Sequence, residues 1–151
     1  MANSQAMCTS FKGEILSGIH AFGTTVIRAG TGADTLKAAL YLASGSQGAG
    51  TTAYAATNEV SGTNYVAGGI TVTNATAPTT GGTTGYWTPS ASFTWTNVTL
   101  ATAFDAVLVY NSTQSNKAIS VHTFGSQTIT AGTFTLTMPT NDSTNALIRI
   151  A

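Results

Sequence analysis

Thirty of the 151 residues are threonine, whereas Asp and Glu together number five, Lys and Arg five, and His two. Threonine branches at Cβ, which stiffens χ1, lowers helix propensity and suits a pleated strand, so a chain that carries its polarity this way is driven towards β-structure with hydroxyls on the solvent face. The same choice constrains function. Acid-base, nucleophilic and metal chemistry draw on clustered Asp, Glu, His, Cys or Lys, and charges this sparse supply no cluster in the sequence. Hydroxyls and amides make hydrogen bonds and broad, weakly charged contacts, and they steer neither an anion nor a nucleic acid. The expectation is a structural or binding module and not an enzyme, with no cofactor, no metal site and no nucleic-acid partner.

Length and hydropathy bound the rest. With 42% hydrophobic and 7% charged residues the chain is too apolar to stay disordered. A single domain over 1–151 can bury about 70% of the surface its unfolded form exposes, and so needs no staple. The lone Cys8 offers none within the chain. No run of 18 apolar residues spans a membrane, and Met1 to Ser10 has neither the basic region nor the apolar core of an export signal. Zero formal net charge leaves nothing to repel neighbouring copies, which predicts a homo-oligomer.

Periodicity predicts one helix, over residues 9–22. Phe11, Ile15, Ile19 and Phe22 recur at helical steps with Leu16 beside them, and Thr9 or Ser10 can serve as N-cap. From Asp34 the period changes to two: Leu36, Ala38, Leu40 and Leu42 alternate with Lys37, Ala39 and Tyr41, the pattern of a half-buried strand. Ser44 to Gly85 is punctuated by glycine, with one predicted strand in Tyr65 to Asn74 and a bulge at Gly68-Gly69. Beyond Pro89 further short strands are predicted. In the first, Phe93, Trp95 and Asn97 alternate with Thr94, Thr96 and Val98. Phe104 to Tyr110, apolar on both faces, is the centre of a sheet, and Ala118 to Phe124, Gln127 to Thr130, Thr133 to Met138 and Ala146 to Ile150 follow. Seven or eight short strands with one leading helix predict a mainly β fold, an antiparallel β-sandwich or jelly-roll-like barrel. The N-terminal arm and helix, residues 1–22, and the Gly-rich stretch are the expected contact segments.

Several motifs are weaker than they look. Asn74, Asn97, Asn111 and Asn141 each begin a glycosylation pattern, but a chain this rich in threonine generates such matches by chance. The Thr-x-Thr pairs starting at Thr71, Thr94, Thr128 and Thr135 lack the constant spacing an ice-like array needs, and they read as solvent-facing strand positions. His20 and His122 stand at no metal-ligand spacing with Cys8, Glu14 or Asp105 and read as structural. Gly30 to Asp34 lacks the lysine of a phosphate loop. Trp87, Trp95, Tyr86 and Tyr65 can form a sugar platform, or core and interface.

Three stretches carry a family likeness: Cys8 to Phe22 (CTSFKGEILSGIHAF), Asp34 to Tyr41 (DTLKAALY), and Thr52-Ala53-Tyr54 with Asn58 to Gly62 and Tyr65 to Gly69. Together with Asn111-Ser112-Thr113 and Thr137-Met138-Pro139, they resemble small virion proteins of tailed bacteriophages over most of the chain. The resemblance implies a structural component of the particle without a catalytic site. The reading is a capsid decoration or cement protein located in the virion, bound to the major capsid protein or other virion proteins through Phe11, Ile15, Tyr54, Tyr65 and Trp87. A tail or head-to-tail connector subunit, or a carbohydrate- or receptor-binding β-sandwich module, is the alternative.

Overall fold

A computed structural model describes residues 2–16, 18–23 and 32–151. In chain order the elements are β1 (Ala6–Met7), α1 (Thr9–Leu16), β2 (Leu36–Leu42), β3 (Ile70–Thr71), β4 (Thr79–Gly81), β5 (Thr84–Trp87), β6 (Phe93–Asn111), β7 (Lys117–Leu136) and β8 (Ile148–Ile150). They form two antiparallel sheets, five-stranded β1-β7-β6-β2-β3 and three-stranded β4-β5-β8, which stay open and do not close into a barrel. The fold is mainly β, with one short N-terminal helix.

The centre of the larger sheet follows from apolarity. Phe104, Ala106, Val107, Leu108, Val109 and Tyr110 are all buried, and β6 pairs there with β2 on one side and β7 on the other. Its partner β2 is more buried than its alternation predicts: Ala39 and Tyr41 are as inaccessible as Leu36, Ala38 and Leu40. Tyr41 is tolerated inside because its hydroxyl donates to the Ala55 carbonyl at 2.6 Å, which satisfies the one polar atom it brings.

Two corrections concern element length. The predicted helix over 9–22 stops at Leu16. Gly18 takes φ +66°, its N–H donates to the Ile15 carbonyl and the Ile19 N–H to the Glu14 carbonyl, a Schellman turn that ends the helix and redirects the chain. Nor is Thr9 or Ser10 the N-cap: both lie within the first turn, and the Thr9 N–H is met by the Ala49 carbonyl. Beyond Pro89 the predicted short strands as far as Leu136 fuse into β6 and β7, which pair along almost their whole lengths, whereas the last one, Ala146 to Ile150, is shortened to β8 of the smaller sheet. Five register shifts keep this long ribbon bent. The first arises at Asn97, whose φ of +51° inserts an extra residue and turns Val98, not Asn97, to the buried face of Phe93 and Trp95.

The predicted contact arm is part of the body. Asn3 donates to the Leu42 carbonyl and to Asp105, Met7 pairs with Ser120, and Cys8 is fully buried. All eight threonines of the four Thr-x-Thr pairs are exposed, six of them on strands and Thr73 and Thr137 just beyond strand ends. No described helix is long and apolar enough to cross a membrane.

Candidate functional site

The Schellman turn brings His20 back beneath α1, and a polar chain assembles there. Asn111, at the end of β6, fixes its own orientation: its Oδ1 accepts the backbone N–H groups of Thr113 and Gln114 at 3.1 and 3.2 Å, so its amide nitrogen must point the other way. That nitrogen reaches His20 Nδ1 at 3.1 Å and donates to Asp34 Oδ2 at 2.8 Å. With Nδ1 accepting, the imidazole proton sits on Nε2 and is donated to Glu14 Oε2 at 2.8 Å, while the other Glu14 oxygen accepts from Lys117 Nζ at 2.6 Å. Asp34 also accepts from the Ala21 N–H and Gln114 Nε2.

Electrostatics agree with this tautomer. Burial lowers the His20 pKa against the opposing pull of its hydrogen bond to Glu14, so the ring is neutral at pH 7. For Glu14 burial acts to raise the pKa, but the hydrogen bonds and charges of Lys117 and His20 outweigh it and hold the carboxyl below its ordinary range. Protonating His20 would set an N–H against the Asn111 amide donor. The chain of groups therefore behaves as a fixed staple between α1, β6 and β7, with its polar atoms turned on one another.

An apolar groove lies against this staple. His20 meets Phe11 edge-on at 4.8 Å between ring centroids, Phe11 meets Phe22 at 5.9 Å, and Phe22 meets Trp87 at 4.6 Å. Together with Ile15, Tyr86 and Ile148 these rings line an open cavity of about 310 Å³ between the helix and the smaller sheet. Ile150, 47% exposed, stands at its rim. Trp87 itself is buried, and its Nε1 donates to the Thr76 carbonyl at 2.9 Å.

A second polar cluster organises the Gly-rich stretch. Glu59 accepts from the Tyr54 hydroxyl at 2.6 Å, the Tyr65 hydroxyl at 2.8 Å and the Gly68 N–H at 2.7 Å, and the Tyr110 hydroxyl donates to the Gly68 carbonyl at 2.7 Å. Burial and then Glu59 raise the tyrosine pKa values, that of Tyr110 to about 12, so all four hydroxyl-bearing rings here, Tyr41 included, remain donors. Tyr54 stacks on Tyr110 at 4.8 Å.

The sequence-predicted contact residues thus fall into two places. Phe11, Ile15 and Trp87 share the groove, whereas Tyr54 and Tyr65 converge on Glu59. Sequence reasoning missed Glu59, Asp34, Asn111 and Lys117. A signal was present: in a chain with so few charges, each carboxylate placed among apolar residues needs partners nearby. No group of three His, Cys, Asp or Glu able to hold a metal comes together among the described residues. The Cys8 thiol is pushed up to about 11 by burial and then by Glu14, which removes it from nucleophilic chemistry at neutral pH. No family model, curated protein or solved structure matches this chain.

Proposed function

We propose that the chain is a structural component of a bacteriophage particle, a capsid decoration or cement protein that stabilises the head through contacts with the major capsid protein. The observation that carries this reading is a division of labour in the molecule. The polar groups with chemical potential, Glu14, His20, Asp34 and Glu59, are engaged in internal hydrogen bonds, while the aromatic groove that His20 helps to line is open and apolar. Such a surface suits docking onto protein better than turnover of a substrate. The likeness of the Cys8 to Phe22 and Asp34 to Tyr41 segments to small phage virion proteins supports the same reading. A cement protein gains from repetition: contacts that are modest singly become strong when many copies tile one shell.

A sugar-binding role draws no support from Trp87, whose indole is buried edge-on to Phe22 with its N–H on Thr76. The test is stoichiometry and heat resistance of purified particles. Quantitative mass spectrometry should find copies on the order of hundreds, as shell symmetry demands, and about six or twelve would place the chain in the tail or connector instead. Particles lacking the protein should release DNA at lower temperature. Ile150→Asp, at the exposed rim of the groove, should reduce retention on particles while leaving the fold intact. Unchanged heat resistance combined with lost adsorption to cells would replace the capsid role by receptor binding.

A further inference from the structure

The five-stranded sheet is closed poorly on its β7 side. Strand β1 covers β7 at two positions only, Ala6↔Val121 and Met7↔Ser120. From Thr123 to Leu136 no strand among the described residues lies along the outer side of β7. A strand edge carries unpaired N–H and C=O groups and is a template for another strand, and proteins blunt such edges with charges, proline, bulges or a covering segment. Thr123 to Leu136 contains no Asp, Glu, Lys, Arg or Pro. Register shifts against β6 fall between Thr123 and Gln127, between Gln127 and Ile129 and on either side of Gly132, with Ala131 at φ +45°, so the ladder is regular only over Phe134 to Leu136, while Gln127 to Thr130 remains strand between two irregularities. Thr128, Thr130, Thr133 and Thr135 are exposed along it.

A second feature points to the same edge. Phe124 and Phe134, both on β7 and both partly exposed, pack with Phe104 into a ring cluster at centroid distances of 5.1 to 5.9 Å. This apolar face runs out to the last strand of the sheet.

We propose that this edge is a self-pairing surface, on which the β7 strands of two copies align antiparallel about a two-fold axis and continue one sheet across the dimer. A second copy is the occupant because a two-fold contact sets each group against its own image, which an uncharged edge accepts and a charged one resists. The side-chain rows also match themselves: Thr94 and Thr135 already meet across β6 and β7 with their hydroxyl oxygens 3.3 Å apart, and a second β7 presents the same threonine spacing. On the other face, two Phe124–Phe134 rows come side by side and extend the apolar cluster. The inference stands apart from the virion reading, since a solution dimer can form or fail to form whatever the chain does on a particle.

Light scattering of the intact chain, at concentrations on the order of tens of micromolar, should give twice the 15.3 kDa chain mass. The double variant T128K/T133K, which places a charge on the exposed edge on each side of Ala131, should be monomeric with an unchanged circular dichroism spectrum and melting temperature. Ile150→Lys, in the groove, should remain dimeric. Single cysteines introduced from Gln127 to Leu136 provide a measurement independent of the lysines: under mild oxidation only those close to the two-fold should link two chains. A monomeric wild type, a dimer that survives both lysines, dissociation by Ile150→Lys alone, or a dimer in which no edge cysteine cross-links would each overturn the proposal.

Discussion

Glu59 is the residue with most to lose. Two phenol hydroxyls and one backbone N–H end on its carboxylate, and the residue is only 9% exposed. Truncation leaves those donors without an acceptor, at about 1 to 3 kcal/mol for each that water cannot reach. Glu59→Ala should therefore destabilise the protein by about 3 to 5 kcal/mol in urea titration. Glu59→Gln, which keeps one carbonyl oxygen, should cost less. An alanine variant within about 0.5 kcal/mol of wild type would show that the loop finds other partners. Leu40 and Val107 make the complementary case. They are register partners on β2 and β6 and are 0% and 1% exposed, so Leu40→Asp or Val107→Asp places an unpaired carboxylate in the sheet centre. Either should abolish cooperative folding, because total stability is only about 5 to 15 kcal/mol. Thr94→Asp, on an exposed face of β6, should melt within a few degrees of wild type, and the reverse pattern would mean that β6 faces the other way.

Glycine decides the geometry at the level of elements. Gly69 holds φ +69° where the chain enters β3, and a Cβ there would overlap the Ala38 carbonyl on β2. Gly69→Ala should cost at least about 2 kcal/mol and loosen the β2–β3 pairing, through both backbone strain and the close approach. Gly50→Ala, where an added Cβ meets nothing within 4 Å, is the control and should be neutral in the same denaturation assay. These positions also explain how far the elements were legible in advance. The first half of the helix stripe and the central strand stand in the sequence because local spacing encodes them, whereas the bulge expected at Gly68-Gly69 within a strand over Tyr65 to Asn74 is a turn ahead of a β3 only two residues long. Local spacing does not encode the fusion of short strands into β6 and β7: Ala131 carries the chain on through positive φ as a bulge where the pattern breaks between two strands, and Asn97 does so inside a stretch whose alternation reads as regular. Likewise α1 ends early through Gly18, a residue that from sequence counts only as a cost within a longer helix. The groove was half visible: its aromatics were named, but the bonds that join Asn111 to Asp34 and Lys117 to Glu14 span 77 and 103 residues, beyond any local pattern.

At the scale of the whole molecule the two histidines make the fold sensitive to acid. Burial lowers the pKa of both, that of His122 to about 4 from an ordinary 6.5, and the His122 ring is only partly reachable by water beside Ser120. The folded state thus holds each ring neutral, while the unfolded chain takes up a proton as pH falls through about 6.5. The stability each ring contributes is complete above that pH and is lost progressively as pH falls towards the folded-state value, up to about 3 kcal/mol for His122. Glu14 acts lower down: its depressed carboxyl contributes above the ordinary carboxylate range and fails only as pH drops through its own folded value. Between pH 7 and pH 4.5 the histidines therefore dominate. The melting temperature should fall across that window by about 5 to 10 °C, given about 2 to 4 °C per kcal/mol for a chain of this length. His122→Gln, which cannot take up the proton, should flatten a substantial part of the slope even if it lowers the melting temperature at neutral pH. A profile that is level from pH 7 to 4.5, or one whose slope His122→Gln leaves unchanged, would mean that the buried imidazoles do not set the acid limit of the fold.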